Sequence, residues 1–172
     1  HGVIGTLHNL RHRSTEELEA ELLRHAPETP MSLVLPCLYS ELEGDALTGI
    51  VDKLAKVPYL EEIIIGLDAA DREQFERARD FFSKLPQRHS ILWNDGPRLL
   101  EIDRRLTTEN LSPLERGKGR NVWYCLGYFL ASARSKVVAL HDCDILTYER
   151  DMPARLFYPL VHPDMDYVFC KG

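Results

Sequence analysis

The chain has 172 residues, 44% hydrophobic and 28% charged, which excludes a disordered polypeptide and fits one domain or a piece of a larger protein. Its formal net charge of −6 argues against binding to nucleic acid or an anionic membrane, where a basic excess is needed. No apolar run reaches the length of a membrane span, and the N-terminus lacks the basic-then-apolar order of a signal peptide.

The first element expected is a short surface helix in RSTEELEAELLRHAP. Ser14 and Glu17 have the spacing of a capping box, and Leu18, Leu22 and Leu23 form one apolar stripe. MSLVLPCL (31–38) is almost wholly apolar and reads as a buried strand with a loop after Pro36. A helix is expected over 44–57, with Leu47, Ile50, Val51 and Leu54 on one face. EEIIIGLD (61–68) is a second apolar strand that ends in an acid. Residues 71–85 carry Phe75, Ala78, Phe82 and Leu85 at helical spacing, with Asp71 as the natural cap.

HSILWND (89–95) is a third strand ending in an acid, and PRLLEIDRRLTTENL is mostly helical. LSPLERGKGR (111–120) reads as a polar glycine-bearing loop before an apolar helix over 121–133. KVVALHD (136–142) is a fourth strand, MPARLFYPLV a short helix, and DYVFC (166–170) a fifth strand. Alternation of helices with continuously apolar strands predicts an α/β fold with a mainly parallel sheet covered on both faces. The chain starts at His1 and stops just after DYVFC, so the N-terminal part of a longer chain is expected.

There are 4 cysteines, Cys37, Cys125, Cys143 and Cys170, with no C-x-x-C pair, which argues against a zinc site. Three lie in apolar runs, as reduced buried thiols do, and this fits a reducing cytoplasm.

Ligands of open α/β sheets bind outside the carboxyl ends of the strands. The polar residues predicted there are Pro36 to Glu41, Asp68, Asn94-Asp95 and the D-C-D of Asp142 and Asp144. For Asp95 before Gly-Pro, ordinary turn chemistry is the simpler reading. Asp142 and Asp144 are harder to read as caps. At i and i+2 of an extended segment they would point to one side and repel unless a cation lay between them. Mg²⁺ or Mn²⁺, which take oxygen ligands, suit that pair. A phosphatase of the haloacid-dehalogenase type also uses D-x-D, but it wants Thr or Val where Leu146 stands, and it wants the motif after its first strand.

ERGKGR places Arg116, Lys118 and Arg120 around two glycines ahead of a helix. It is not a Walker A loop, because Ser112 replaces the first glycine and Gly119 follows the lysine. Exposed amides, cations and a helix N-terminus nevertheless suit an anion. A cationic loop and an acidic pair belong together if the ligand is a metal-chelated diphosphate.

VLPCLYSE, GLD, GKG and HDCD, in that order, resemble the nucleotide-sugar-binding half of GT-A glycosyltransferases, and more closely the retaining glucosyl-3-phosphoglycerate synthase group and its mannosyl relatives. The resemblance spans roughly residues 31–172, with residues 1–30 left as an N-terminal helical extension. It implies a Rossmann-like GT-A domain, incomplete at its C-terminus. It implies transfer of a hexose from UDP-glucose to a small phosphorylated acceptor such as 3-phosphoglycerate, with GDP-mannose as the alternative donor. A D-x-D phosphohydrolase and a non-catalytic nucleotide-binding module are the remaining readings.

By the same resemblance Pro36, Leu38 and Glu41 would line the nucleoside and Asp68 would hydrogen-bond the base. Lys118 would reach the nucleotide or its phosphates. Asp142 would hold the ribose and the metal region, and Asp144 would bind Mg²⁺ or Mn²⁺ directly. The family often has Asn-Glu-Glu where this chain has Tyr39-Ser40-Glu41, which leaves the register of the Glu41 contact open. The acceptor-binding residues would lie outside this chain. A homodimer is kept as one assembly that the reading allows.

Overall fold

A computed structural model describes residues 12–113, 115–165 and 167–172. The elements run α1 (Thr15–His25), β1 (Met31–Leu38), a 3₁₀ turn (Tyr39–Glu43), α2 (Asp45–Leu54), β2 (Leu60–Asp68), α3 (Arg72–Phe82), β3 (His89–Trp93), α4 (Pro97–Thr108), α5 (Lys118–Ser132), β4 (Val137–Leu140) and α6 (Asp151–Val161). The four strands form one all-parallel sheet in the order β3-β2-β1-β4.

Side chains alternate across each strand, so each inner strand feeds two cores. Leu33, Leu35 and Cys37 of β1, with Ile63, Ile65 and Leu67 of β2, enter the larger core with residues of α1, α2, α3 and α6. Val34 and Ile64 point the other way and pack with Cys125 of α5. This two-sided burial is why the strands are continuously apolar. The α1 helix starts on the expected Ser14–Glu17 capping box and sends Leu18 and Leu22 into the larger core. Asp71 caps α3 in a reciprocal box with Gln74.

Pro36 lies in a strand with neighbours on both sides, where proline is ordinarily excluded. The ladder explains the exception. The last β1–β4 register pair is Val34 with Leu140, followed by a bond from the His141 amide to the Val34 carbonyl at 3.1 Å. Pro36 falls two residues later, with its missing donor on that same side. There the ladder to β4 has ended, while β1 continues beside β2 as far as Leu38 opposite Asp68. The chain is thus free to diverge after Leu140.

Three expectations are corrected. First, no strand forms over the described residues 167–170, where Val168 is 97% and Phe169 76% exposed. Apolar composition suffices for a strand only where a neighbour offers a ladder, and among the described residues β4 pairs with β1 alone. Second, the extended run of β4 ends at Leu140 and residues 143–144 form a turn. Asp142 and Asp144 therefore do not share one extended segment, and the argument that placed them on one side does not hold. Third, the helix after the glycine loop begins at Lys118 rather than 121. Gly117 caps it at φ 128°, a conformation natural to glycine, so the loop turns into the helix three residues early.

Candidate functional site

The carboxyl ends of the strands bring the predicted polar residues to one edge. Leu38 and Asp68 end β1 and β2 as direct register partners. Leu38 is exposed and Asp68 is buried. Pro36 is buried one turn of the pleat below, opposite Gly66. Glu41 sits in the 3₁₀ turn and accepts a hydrogen bond from the Leu38 amide at 2.7 Å, which folds the loop back over the end of β1.

The glycine loop reaches the D-C-D loop directly. The Lys118 ammonium donates to Asp142 Oδ1 at 2.5 Å, joining the first residue of α5 to the chain just past β4. Arg116 lies 3.8 Å from Asp95. Asp95 in turn accepts from the Ala70 amide at 3.2 Å, so from its place just past β3 it braces the loop after β2. The loop itself is anchored from behind. Asp103 of α4 accepts from Ser112 at 2.5 Å and from the Tyr124 hydroxyl. The Ser112 and Tyr124 bonds hold its carboxyl below the usual range.

The three cations are not equivalent. Arg116 and Lys118 are exposed, but Arg120 turns inward, is 7% exposed, and lies over the Tyr124 ring at 5.9 Å. An open hollow of about 450 Å³, lined by Pro113, Glu115 and residues 116–120, lies beside this loop. That size is in the range of small-molecule sites. Asp144 is exposed in its turn, whereas Cys143 between the two acids is buried.

Asn94 was expected at this edge, whereas Gly66 and Asn121 escaped the sequence reading. Asn94 is 2% exposed at the end of β3, and neither of its amide atoms has a partner among the described residues. Asn121 of α5 donates to the Gly66 carbonyl at 2.8 Å, and Gly66 is the residue that lets it approach. A Cβ there would fall 1.8 Å from Asn121 Oδ1 and 2.6 Å from Cys125 Sγ. His141, left without a role by the sequence, is buried and contacts the Tyr148 hydroxyl through Nδ1 at 2.8 Å. Burial lowers its pKa to about 4. The Cys37 thiol is pushed well above its ordinary value, first by the neighbouring Cys143 thiol and then by burial.

No family model matches the chain. Curated proteins do. The chain is 45% identical over 171 residues to the glucosyl-3-phosphoglycerate synthase of Persephonella marina, covering 99% of this chain and 42% of that protein. It is 37% identical over 145 residues to the Methanococcoides burtonii protein of the same name, covering 83% and 35%. The chain thus spans less than half the length of these curated relatives.

Among solved structures it is similar to the Mycobacterium tuberculosis glucosyl-3-phosphoglycerate synthase. The complex of that protein with Mn²⁺, UDP and phosphoglyceric acid matches with a TM-score of 0.54 at 19% identity, over 84% of this chain and 43% of that one. Its complex with Mn²⁺ and UDP-glucose matches at 0.55 and 19%, over 85% and 44%. The fold is that of GT-A glycosyltransferases, and over nearly its whole length the chain is a sequence relative of the glucosyl-3-phosphoglycerate synthases.

Proposed function

We infer that this chain supplies the donor-binding part of a glycosyltransferase that moves glucose from UDP-glucose to 3-phosphoglycerate with retention, in the presence of Mg²⁺ or Mn²⁺. The observation that carries the reading is the Lys118–Asp142 contact, which sets a cationic loop against an acidic loop at the carboxyl edge of a parallel sheet. The relatives' names, and the UDP-glucose, Mn²⁺ and phosphoglyceric acid bound by the Mycobacterium tuberculosis protein, support it.

The donor set fits a hard cation. Asp142 and Asp144 offer carboxylate oxygens on a loop open to solvent, and Asp142 already holds an ammonium group. In this reading Asp144 binds the ion and Asp142 is shared between the ion and the ribose. An ion held by these two carboxylates would supply Lewis-acid stabilisation of the charge on the departing nucleoside diphosphate. Lys118 would exchange Asp142 for the phosphates, and Arg116 would add a second positive charge at the mouth of the hollow. Leu38 and Asp68, side by side at the strand ends, line the base with Pro36 beneath, and Glu41 holds the loop that carries Leu38. With the acceptor attacking from the leaving-group side, no protein nucleophile is needed.

Calorimetric titration with UDP-glucose and GDP-mannose, each with Mn²⁺, tests the donor. Preference for UDP-glucose by tenfold or more is expected. Tighter binding of GDP-mannose overturns the choice of donor, and no binding of either overturns the reading.

A further inference from the structure

The ends of β1 and β4 bring together a second set of ligand atoms with different chemistry. Cys37 closes the inward face of β1, Cys143 is the inward residue of the D-C-D turn, and Glu41 comes from the 3₁₀ turn. One ligand atom from each lies within 4.8 Å of the others. Among the described residues, this is the one such group of three or more His, Cys, Asp or Glu side chains. Asp142 and Asp144 do not belong to it.

We propose that Cys37, Cys143 and Glu41 form a binding site for a thiophilic divalent cation such as Zn²⁺, separate from the carboxylates of Asp142 and Asp144.

The geometry suits such an ion. Two thiolates on tetrahedral zinc, with Zn–S bonds of about 2.3 Å, stand about 3.8 Å apart. The present separations need close by no more than about 1 Å to reach that figure. Two sulfurs and one carboxylate select a borderline or soft ion over Mg²⁺, so the two sites differ in what they accept. Three protein ligands leave a fourth position for water.

Cys37 and Cys143 are 0% and 2% exposed, whereas Glu41 is partly open and gives the ion its way in. Glu41 can keep one oxygen on the Leu38 amide and offer the other. The Cys37 thiol is directed at the Leu38 carbonyl at 3.2 Å, a weak bond readily exchanged for a metal. On binding, each thiol gives its proton to solvent as its sulfur–metal bond forms, and no oxidant or reductant is involved. An ion here would tie the loop that carries Leu38 to the loop that carries Asp142 and Asp144. The inference does not depend on the donor reading.

The test is an optical titration of the protein with Co²⁺, which reports thiolate ligation by a charge-transfer band that carboxylates do not produce. One equivalent should develop the band. Cys37→Ser and Cys143→Ser should each abolish it, while Cys170→Ser and Asp144→Ala retain it, with circular dichroism confirming that each variant is folded. Excess Zn²⁺ should bleach it. Absence of the band in the unaltered protein overturns the proposal without recourse to any variant. So does a band that survives in both Cys37→Ser and Cys143→Ser.

Discussion

Lys118 Nζ and Asp142 Oδ1 are 2.5 Å apart, although 24 residues separate them in sequence. Their side chains are 58% and 44% exposed, so solvent screens the pair and its contribution to stability is below about 1 kcal/mol. The contact therefore matters for placement: it holds a cation where a phosphate would lie and a carboxylate where a metal would lie. Lys118→Ala should leave the thermal midpoint nearly unchanged and weaken UDP-glucose binding about tenfold, about 1.4 kcal/mol for loss of one charged hydrogen bond. Calorimetry beside a melting curve checks both. A large drop in midpoint with unaltered affinity would make the contact merely structural.

Gly66 shows the opposite balance. Its missing side chain admits Asn121, whose amide bonds the Gly66 carbonyl inside the sheet–α5 interface. Gly66→Ala should destabilise the protein by about 1–3 kcal/mol through overpacking against Asn121 and Cys125. Asn121→Ala should cost a similar amount by leaving a buried carbonyl unpaired. The two changes share one contact, so the double variant should fall short of the sum. Urea denaturation of the three variants gives the comparison, and strict additivity would refute the shared contact.

Acid sensitivity should trace to the α1–α6 contact. Glu21 of α1 is held down to about 2 from 4.5, chiefly by its hydrogen bond with Arg13. Arg13 also donates to the Tyr158 hydroxyl of α6. A carboxyl with a depressed folded pKa binds its proton more readily in the unfolded state. The stability it gives is complete above about pH 4.5 and is lost as pH falls toward 2. Arg13→Ala should flatten the fall in unfolding free energy across that window, measured by denaturant titration at a series of pH values. An unchanged slope would remove Glu21 from the account.

Much of the fold was legible because burial on both faces writes itself into a strand. The runs 31–38 and 61–68 could be nothing else in an alternating α/β chain, and the Ser14–Glu17 box and the Asp71 cap announced two helix starts. DYVFC misled because β-propensity carries no information about whether a neighbouring strand is present. The edge that collects the site was legible too, since acids close three of the apolar runs.

Which residues meet across that edge was not legible. The Lys118–Asp142 contact depends on α5 starting at Lys118, and only the positive φ of its Gly117 cap reveals the early turn. The grouping of Cys37 with Cys143 depends on two strands lying side by side, which no local cysteine spacing could announce. Asn94 and Asn121 looked like ordinary turn and helix residues, because their burial comes from the sheet beneath them.

The central claim is that the acids beyond β4 serve a metal-dependent nucleotide-sugar site. It is tested most directly by titrating UDP-glucose into the protein with and without Mn²⁺, and repeating both titrations with Asp144→Ala. Asp144 is exposed in its turn, so the variant should fold and melt like the unaltered protein. The account predicts that Mn²⁺ strengthens binding at least tenfold in the unaltered protein and has no effect in Asp144→Ala. Equal binding with and without the ion, or an Asp144→Ala protein that still responds to Mn²⁺, would contradict it.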